Sequence, residues 1–297
     1  MVVKENIYYQ LSSQSLSNND RIVDILIDFG LIKISSPCPG CNNPMSINRD
    51  ASRSNQCRYF CSTCKKRYEI ISQTVFKGFK IRLIDILSII AQWNTEKNLV
   101  QIERILKISK KTLIKVQSII RQKIKTYEDA NQPLPIGSDN PVEVDETVIS
   151  KRKYNRGRLV KEQWLFGGIE RDSGNFFLKT VPKRDAETLG NIIRDFVEEG
   201  STIYSDQWRA YVRFFNANPE YTHRMVNHSI EFVNSEDRRV HTQNIESLWS
   251  ILKRFLRKRS LNDSTKLEEY LAEFIFRRKN RSLTEYQRFE KILKILF

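Results

Sequence analysis

The spacing of apolar and polar positions changes twice along the chain. Residues 1–35 are a short polar start followed by apolar positions at helical spacing around 20–29, with Gly30 suited to end that helix. Residues 36–76 are rich in Cys, Ser and Asn and predict loops and short strands. From 80 to 126, Ile, Leu, Val and Lys recur with a helical period in three pieces, about 81–93, 98–106 and 110–125. Asn94-Thr95-Glu96 and Lys107-Ile108-Ser109 separate them. Residues 127–141 carry Pro133, Pro135 and Gly137 among polar residues and read as a linker. Strands follow at 142–150, 164–170 and 175–181, the last two joined by a turn at Arg171-Asp172-Ser173-Gly174. A helix over 185–199, apolar at Leu189, Ile192, Ile193 and Phe196, stops at Gly200. A strand at 201–205 leads straight into Asp206; a short helix, a strand at 221–226 and helices at 243–259 and 265–280 follow. There is no internal repeat.

Composition adds a partner to this outline. The 297 residues suffice for two or three domains, and 40% apolar content suffices for a sizeable core. Lys and Arg number 50 against 35 Asp and Glu, a formal charge of +15, which points to a polyanion. The excess is local: residues 49–125 hold 18 basic and 5 acidic side chains. A basic gripping module followed by a segment with another task fits this split. No apolar run approaches the roughly 18–20 residues that span a bilayer, and Met1-Val2-Val3-Lys4-Glu5-Asn6 has no apolar core followed by a small-residue cleavage site, so no signal peptide is expected. The expectation is a reducing, intracellular setting, in which thiolates and metal sites outnumber disulfides.

Cys38-Pro39-Gly40-Cys41 and Cys61-Ser62-Thr63-Cys64 form two C-x2-C knuckles, the spacing that closes four thiolates around one tetrahedral Zn²⁺. Four protein ligands leave no open position, so this zinc is structural. Cys57 is the spare cysteine. Residues 99–125 fit a helix-turn-helix: Val100, Ile102, Ile105 and Leu106 pack one helix, Leu113, Val116, Ile119 and Ile120 the next. Lys110, Lys111, Lys115, Arg121 and Lys123 are left for phosphates or bases, with Ser109 as N-cap. A three-helix bundle with a solvated basic face is the alternative.

Three acids stand where a mixed α/β core would build a metal site: Asp145 in the first strand of that core, Asp206 after the apolar fourth strand, and Glu246 early in the long helix. A carboxylate in a buried strand is costly unless a cation neutralises it. Two such strands and a helix alongside can hold two Mg²⁺ (or Mn²⁺) ions about 4 Å apart for in-line phosphodiester chemistry. Glu246, Ser250, Lys253 and Arg257 stay within about 60° of one another around that helix. Ile245, Leu248, Trp249, Leu252, Phe255 and Leu256 form its apolar side. One face thus offers a carboxylate to metals and Lys253 and Arg257 to a phosphate backbone. Glu143 and Glu146 flank Asp145, and alternation puts Glu143 on its face. His228 and His241, between the second and third acids, are available to support the site.

The stretches Val142-Glu-Val-Asp-Glu-Thr147, Ile203-Tyr-Ser-Asp-Gln-Trp-Arg-Ala-Tyr211, Val226-Asn-His-Ser229 and His241-Thr-Gln-Asn-Ile-Glu-Ser-Leu-Trp-Ser-Ile-Leu-Lys-Arg254 resemble the Merlin-type DDE transposases and their bacterial insertion-sequence relatives. Leu271-Ala-Glu-Phe-Ile-Phe-Arg-Arg278 resembles the family's closing segment. The resemblance implies an RNase H-like mixed-sheet catalytic core, the triad Asp145, Asp206 and Glu246, and a basic residue seven positions after the last acid, here Lys253. The 39 residues between Asp206 and Glu246 exceed the commonest spacing of the wider superfamily and leave room for a modest insertion. The expected layout is an N-terminal helical segment (1–35), a zinc ribbon (36–78), an all-α helix-turn-helix module (79–127), a linker (128–141), the RNase H-like domain (142–260) and a C-terminal helical segment (261–297). The implied activity is cleavage of transposon ends at terminal inverted repeats and joining of the 3′-OH to target DNA, by a homodimer or higher homo-oligomer. It would be nuclear in a eukaryotic host and cytoplasmic on DNA otherwise. A non-catalytic, transposase-derived DNA-binding regulator and another RNase H-like nuclease are the competing readings.

Overall fold

The computed structural model describes residues 2–13, 22–50, 52–149, 162–226, 240–259 and 264–297. They fall into two compact units, residues 1–130 with 275–297 and residues 131–274.

In the first unit α1 (Val2–Ser13) and α2 (Ile22–Asp28) precede a four-stranded antiparallel sheet. Its strands are β1 (Ser35–Pro37), β2 (Pro44–Arg49), β3 (Cys57–Phe60) and β4 (Arg67–Glu69), in chain order. Three helices follow, α3 (Leu83–Asn94), α4 (Leu99–Leu106) and α5 (Lys110–Ala130). Helix α1 occupies the stretch that reads as a polar start; its Ile7, Tyr8 and Leu11 are buried. Helix α3 is the centre of the unit and is apolar nearly all round, the pattern of a helix enclosed on every side. Its two buried amides are satisfied. Gln92 Nε2 donates to Ser12 O, and Asn94 Nδ2 donates to the Tyr8 hydroxyl at 3.0 Å and to Glu285 O at 2.8 Å. Asn98 and Gln101 form a capping box at the start of α4, and Lys107, in the left-handed region at φ 54°, ends it. Helix α5 runs to Ala130, past the expected linker start, because Glu128 is buried in an ion pair with Lys279 at 2.7 Å.

The second unit is built on five strands: β5 (Val142–Val148), β6 (Trp164–Glu170), β7 (Phe176–Val181), β8 (Thr202–Asp206) and β9 (Thr222–Val226). Their order is β7-β6-β5-β8-β9; β5, β6 and β7 are antiparallel neighbours, while β8 and β9 run parallel to β5. This is the mixed sheet of an RNase H-like core. Three helices pack with it, α6 (Ala186–Phe196), α7 (Arg209–Ala217) and α8 (Gln243–Lys258). Helix α9 (Leu267–Lys279) begins in this unit; its last residues and α10 (Glu285–Leu296) belong to the first. Gly174, at φ 69°, closes the β6–β7 hairpin where the turn signal places it.

Strand alternation assigns two faces to the sheet. Val142, Val144, Phe166, Phe177 and Ile203 turn into one apolar cluster with Leu189 and Ile193 of α6 and Tyr211, Phe214 and Phe215 of α7. Glu143 and Asp145 turn the other way, where both bond to residues of α8. Helix α8 buries Ile245, Leu248, Trp249, Leu252 and Leu256, as its arithmetic requires, and exposes Glu246, Ser250 and Arg257. Helix α6 stops at Phe196 rather than 199, because Val197 is extended and bridges to Ile136.

Candidate active site and metal centres

Asp145 lies in the middle of β5, opposite Gly167 of β6. The parallel pairing of β5 with β8 matches Val142 to Ile203 and Glu143 to Tyr204, and the same offset brings Asp145 level with Asp206. Asp145 Oδ2 accepts from the indole Nε1–H of Trp249 at 3.0 Å. Asp206 Oδ1 accepts from the backbone N–H of Trp208 at 3.0 Å. Glu246 stands in the first turn of α8, exposed, with the Thr242 hydroxyl donating to its Oε1 at 3.1 Å. Burial pushes the Asp145 carboxyl up to about 7; the charges of Asp206 and Glu246 push the same way, against the N–H of Glu146 and the Trp249 bond. Asp206 and Glu246 therefore both lie close enough to act on Asp145. The oxygens of the three acids do not close into a tight cage. Among the described residues the four cysteines alone form a set of three or more His, Cys, Asp or Glu whose ligand atoms all lie within 4.8 Å.

The neighbours of Asp145 differ sharply. Glu146 faces α7, where the buried Tyr211 hydroxyl donates to its Oε2 at 2.6 Å. Its Oε1 is buried with no hydrogen-bond partner among the described residues. Burial raises its carboxyl to about 7, the Tyr211 bond and Arg184 oppose this, and Asp145 and Asp206 add to it. Glu143 is fully buried and shares the Asp145 face, as alternation predicts, but it is bonded to the start of α8 and to Arg171.

Of the supporting residues read from sequence, Lys253 is half-buried and Arg257 exposed on α8. His241 Nδ1 lies 3.4 Å from Glu143 Oε1; burial together with the Arg171 charge lowers its pKa, against the charges of Glu143 and Glu246. His228 lies outside the described residues, as does most of the Val226–Ser229 stretch. Three residues beside the acids escape a reading of the sequence. Apolar spacing places Trp249 on the packed side of α8, although an indole carries a donor. Arg171 reads as part of a turn. Arg184 is exposed, with its guanidinium 3.6 Å from the Trp164 ring centroid and 4.7 Å from that of Trp208. A cation stacked between aromatics keeps its N–H edge for an anion.

In the first unit the knuckles meet as their spacing predicts. Cys38 and Cys64 sulfurs are 3.6 Å apart, Cys41 and Cys61 3.4 Å. Four sulfurs at about 2.3 Å from a tetrahedral ion stand about 3.8 Å apart, so the set fits a zinc-ribbon centre. Each knuckle ends in a left-handed residue, Asn42 at φ 59° and Lys65 at φ 60°. Burial acts against the Cys38 thiolate, but donors led by the Gly40 N–H and the Tyr68 hydroxyl draw its pKa down to about 6. Burial pushes the Cys57 thiol the other way, to about 11, and its sulfur donates to Asn55 O at 3.3 Å, outside the set.

Lys110, Lys111 and Lys115 are exposed on α5, Lys110 at 3.5 Å from Glu103. Arg121 does not join them: it is 7% exposed and its Nη2 lies 3.4 Å from Gln117 Oε1. The Ser109 hydroxyl accepts from Thr112 N at 3.4 Å, at the start of α5.

Residues 138–279, which include all three acids, match the family model of the ISXO2-like transposase domain. No curated protein matches the chain. Among solved structures, the HTLV-2 integrase catalytic core domain in complex with magnesium is 15% identical, covers 54% of this chain and 84% of its own, and has a TM-score of 0.28. The BIV integrase catalytic core domain is 13% identical, covers 52% and 95%, and has a TM-score of 0.35. The segment bearing the acids is thus similar in sequence to a DDE transposase domain, and its RNase H-like fold stands on its own strand order and directions.

Proposed function

We propose that the chain is a DDE-type DNA transposase that binds the terminal inverted repeats of its element, cleaves the element's ends and joins the 3′-OH to target DNA. One observation carries this reading: Asp145 and Asp206 stand level on neighbouring parallel strands, and α8 brings Glu246 to the same face. Within the class, the motifs around Asp145, Asp206 and Glu246 favour the Merlin type and its insertion-sequence relatives.

In this reading Asp145, Asp206 and Glu246 hold two Mg²⁺ or Mn²⁺ ions, which supply a polarised phosphate and an activated water when bound. The Trp249 N–H and the Trp208 N–H fix the orientation of the two aspartates. Lys253, Arg257 and the stacked Arg184 receive backbone phosphates. Water attacks phosphorus at the element's end, and the P–O bond to the 3′ oxygen breaks. That oxygen, as the 3′-OH, then attacks a target phosphodiester and displaces the target's 3′ oxygen. No covalent protein–DNA intermediate forms. Cys38, Cys41, Cys61 and Cys64 hold a structural Zn²⁺; with residues 79–127, through Lys110, Lys111 and Lys115, this front end grips the repeats as a helix-turn-helix. The catalytic domain of this reading spans 142–260, after the linker at 128–141. Paired ends require a homodimer or larger assembly, acting in the nucleus if the host is eukaryotic and on cytoplasmic DNA otherwise.

The test is strand transfer. An oligonucleotide carrying the element's terminal repeat with a pre-cut 3′ end is incubated with target plasmid, the full-length protein and Mg²⁺. The proposal expects covalent joining that depends on the repeat sequence; no joining, or joining indifferent to the repeat, contradicts it.

A further inference from the structure

Glu143 and Asp145 are two acids on one face of one strand, and their surroundings separate their roles. Glu143 is 0% exposed. Its Oε2 accepts from the backbone N–H of Asn244 at 2.8 Å and of Ile245 at 3.1 Å. Its Oε1 accepts from Asn244 Nδ2 at 2.8 Å and from Arg171 Nε at 2.7 Å. An ionised carboxylate offers about four lone-pair sites, and these four donors fill them. Asp145, in contrast, receives one side-chain donor among the described residues, from Trp249.

The donors also say what Glu143 holds. Asn244 and Ile245 carry two of the orphan N–H groups at the start of α8. Thr242, the N-cap residue, makes no side-chain cap bond, its hydroxyl being turned to Glu246. The cap comes from β5 instead, as a negative charge at the positive end of the helix dipole. Arg171 extends the clamp: its Nη2 donates to His241 O at 2.7 Å, and its guanidinium lies 4.4 Å from the Tyr204 ring centroid of β8. Glu246 is in the turn so held, and its own N–H bonds to Thr242 O at 3.1 Å.

We propose that Glu143 is not a metal ligand but the external cap of α8, and that with Arg171 it sets the position from which Glu246 reaches the metals. This rests on the reading of Asp145, Asp206 and Glu246 as the metal-holding acids. Glu143 is a positioning residue.

The test uses the full-length chain with Glu143→Gln and, as a milder break of the same clamp, Arg171→Lys. Three quantities are read: hydrogen exchange of the first turn of α8, Mn²⁺ binding followed by spin resonance without DNA, and Mn²⁺-dependent cleavage of terminal-repeat DNA. Expected are first-turn exchange faster on the order of tenfold and Mn²⁺ affinity weaker by roughly 10–100-fold. Stoichiometry stays unchanged and cleavage recovers at saturating Mn²⁺. Arg171→Lys falls between the wild type and Glu143→Gln. Loss of one Mn²⁺ equivalent with exchange unchanged would make Glu143 a ligand and overturn the proposal. Faster exchange with unaltered Mn²⁺ affinity would reduce it to a structural cap and overturn it as well. A wild type that binds Mn²⁺ and yet never cleaves DNA defeats the transposase reading, while exchange and Mn²⁺ binding still judge the clamp.

Discussion

Gly167 is where the smallest change should reach the acidic site. It pairs with Asp145 across β5 and β6, and a methyl group there would stand 2.8 Å from Trp249 Cη2, 2.8 Å from Leu178 Cδ2 and 2.9 Å from Phe177 O. Carbon contacts settle near 3.5–4.0 Å, so Gly167→Ala must displace its surroundings by about 0.7 Å or more, and the carbonyl, being backbone, does not rotate away. Trp249 moves instead. Its 3.0 Å bond to Asp145 then stretches beyond hydrogen-bonding range. Overpacking costs about 1–3 kcal/mol and the lost bond to a charged acceptor about 1.5–3 kcal/mol. Taking about 3 kcal/mol, Tm falls by roughly 6–12 °C for a domain of this size. Circular dichroism melts of the metal-free protein measure this, and Mg²⁺ titration of DNA cleavage measures the effect on Asp145. Gly168→Ala is the control, because its methyl meets the Phe177 ring on the face of α6 and α7. It should lower Tm without changing the metal requirement below the melt. A Gly167→Ala protein with wild-type Tm and wild-type metal dependence would show that Trp249 is not displaced onto Asp145 by this methyl group.

The metal-free protein should carry the mark of Asp145 in its pH dependence. Its folded pKa of about 7 lies above the usual carboxylate value, so between pH 4 and 7 the folded state binds the extra proton. Relative to Asp145→Asn, wild-type stability therefore falls as pH rises through this window and levels off above it, and added Mg²⁺ reverses the trend at the upper end. Denaturant melts at several pH values check this. The comparison cancels His223, whose burial holds its pKa near 4 and gives the opposite slope over pH 4–6.5. Elemental analysis should find one zinc per chain, retained in Cys57→Ser and lost in Cys61→Ser, with unfolding of the ribbon on chelation; zinc loss in Cys57→Ser would misassign the ligands. Replacing Lys110, Lys111 and Lys115 together by Ala should flatten the salt dependence of repeat binding by a log–log slope of about 3, read by fluorescence anisotropy, whereas an unaltered slope would remove them from the interface.

Much of the second unit is legible in local pattern. Alternation marks β5, β6 and β7, turn chemistry marks Gly174, and the 100° step of a helix separates Glu246 from Leu248 and Leu252. What escaped depends on partners distant in the chain. The start of the chain reads as polar because the groups that enclose Tyr8, Asn94 and Phe289, lie far along the sequence. Glu143 could not be told from Asp145 by alternation, since its donors sit at 171, 244 and 245. Helix α6 ends early because of a bridge to Ile136, which no local stop signal announces. Arg121 differs, because its burial is visible in local spacing. It falls on the stripe of Leu113, Gln117, Ile124 and Glu128, and that spacing alone assigns it to the packed side of α5.

If Asp145, Asp206 and Glu246 act together on DNA, each is needed for end cleavage. The direct measurement is cleavage of a terminal-repeat substrate in Mg²⁺ by the wild type and by Asp145→Ala, Asp206→Ala and Glu246→Ala, each first shown to melt cooperatively and to bind the repeat. A specific nick at the repeat end is expected from the wild type and none from any of the three variants. Cleavage by Asp145→Ala at the wild-type rate would contradict it.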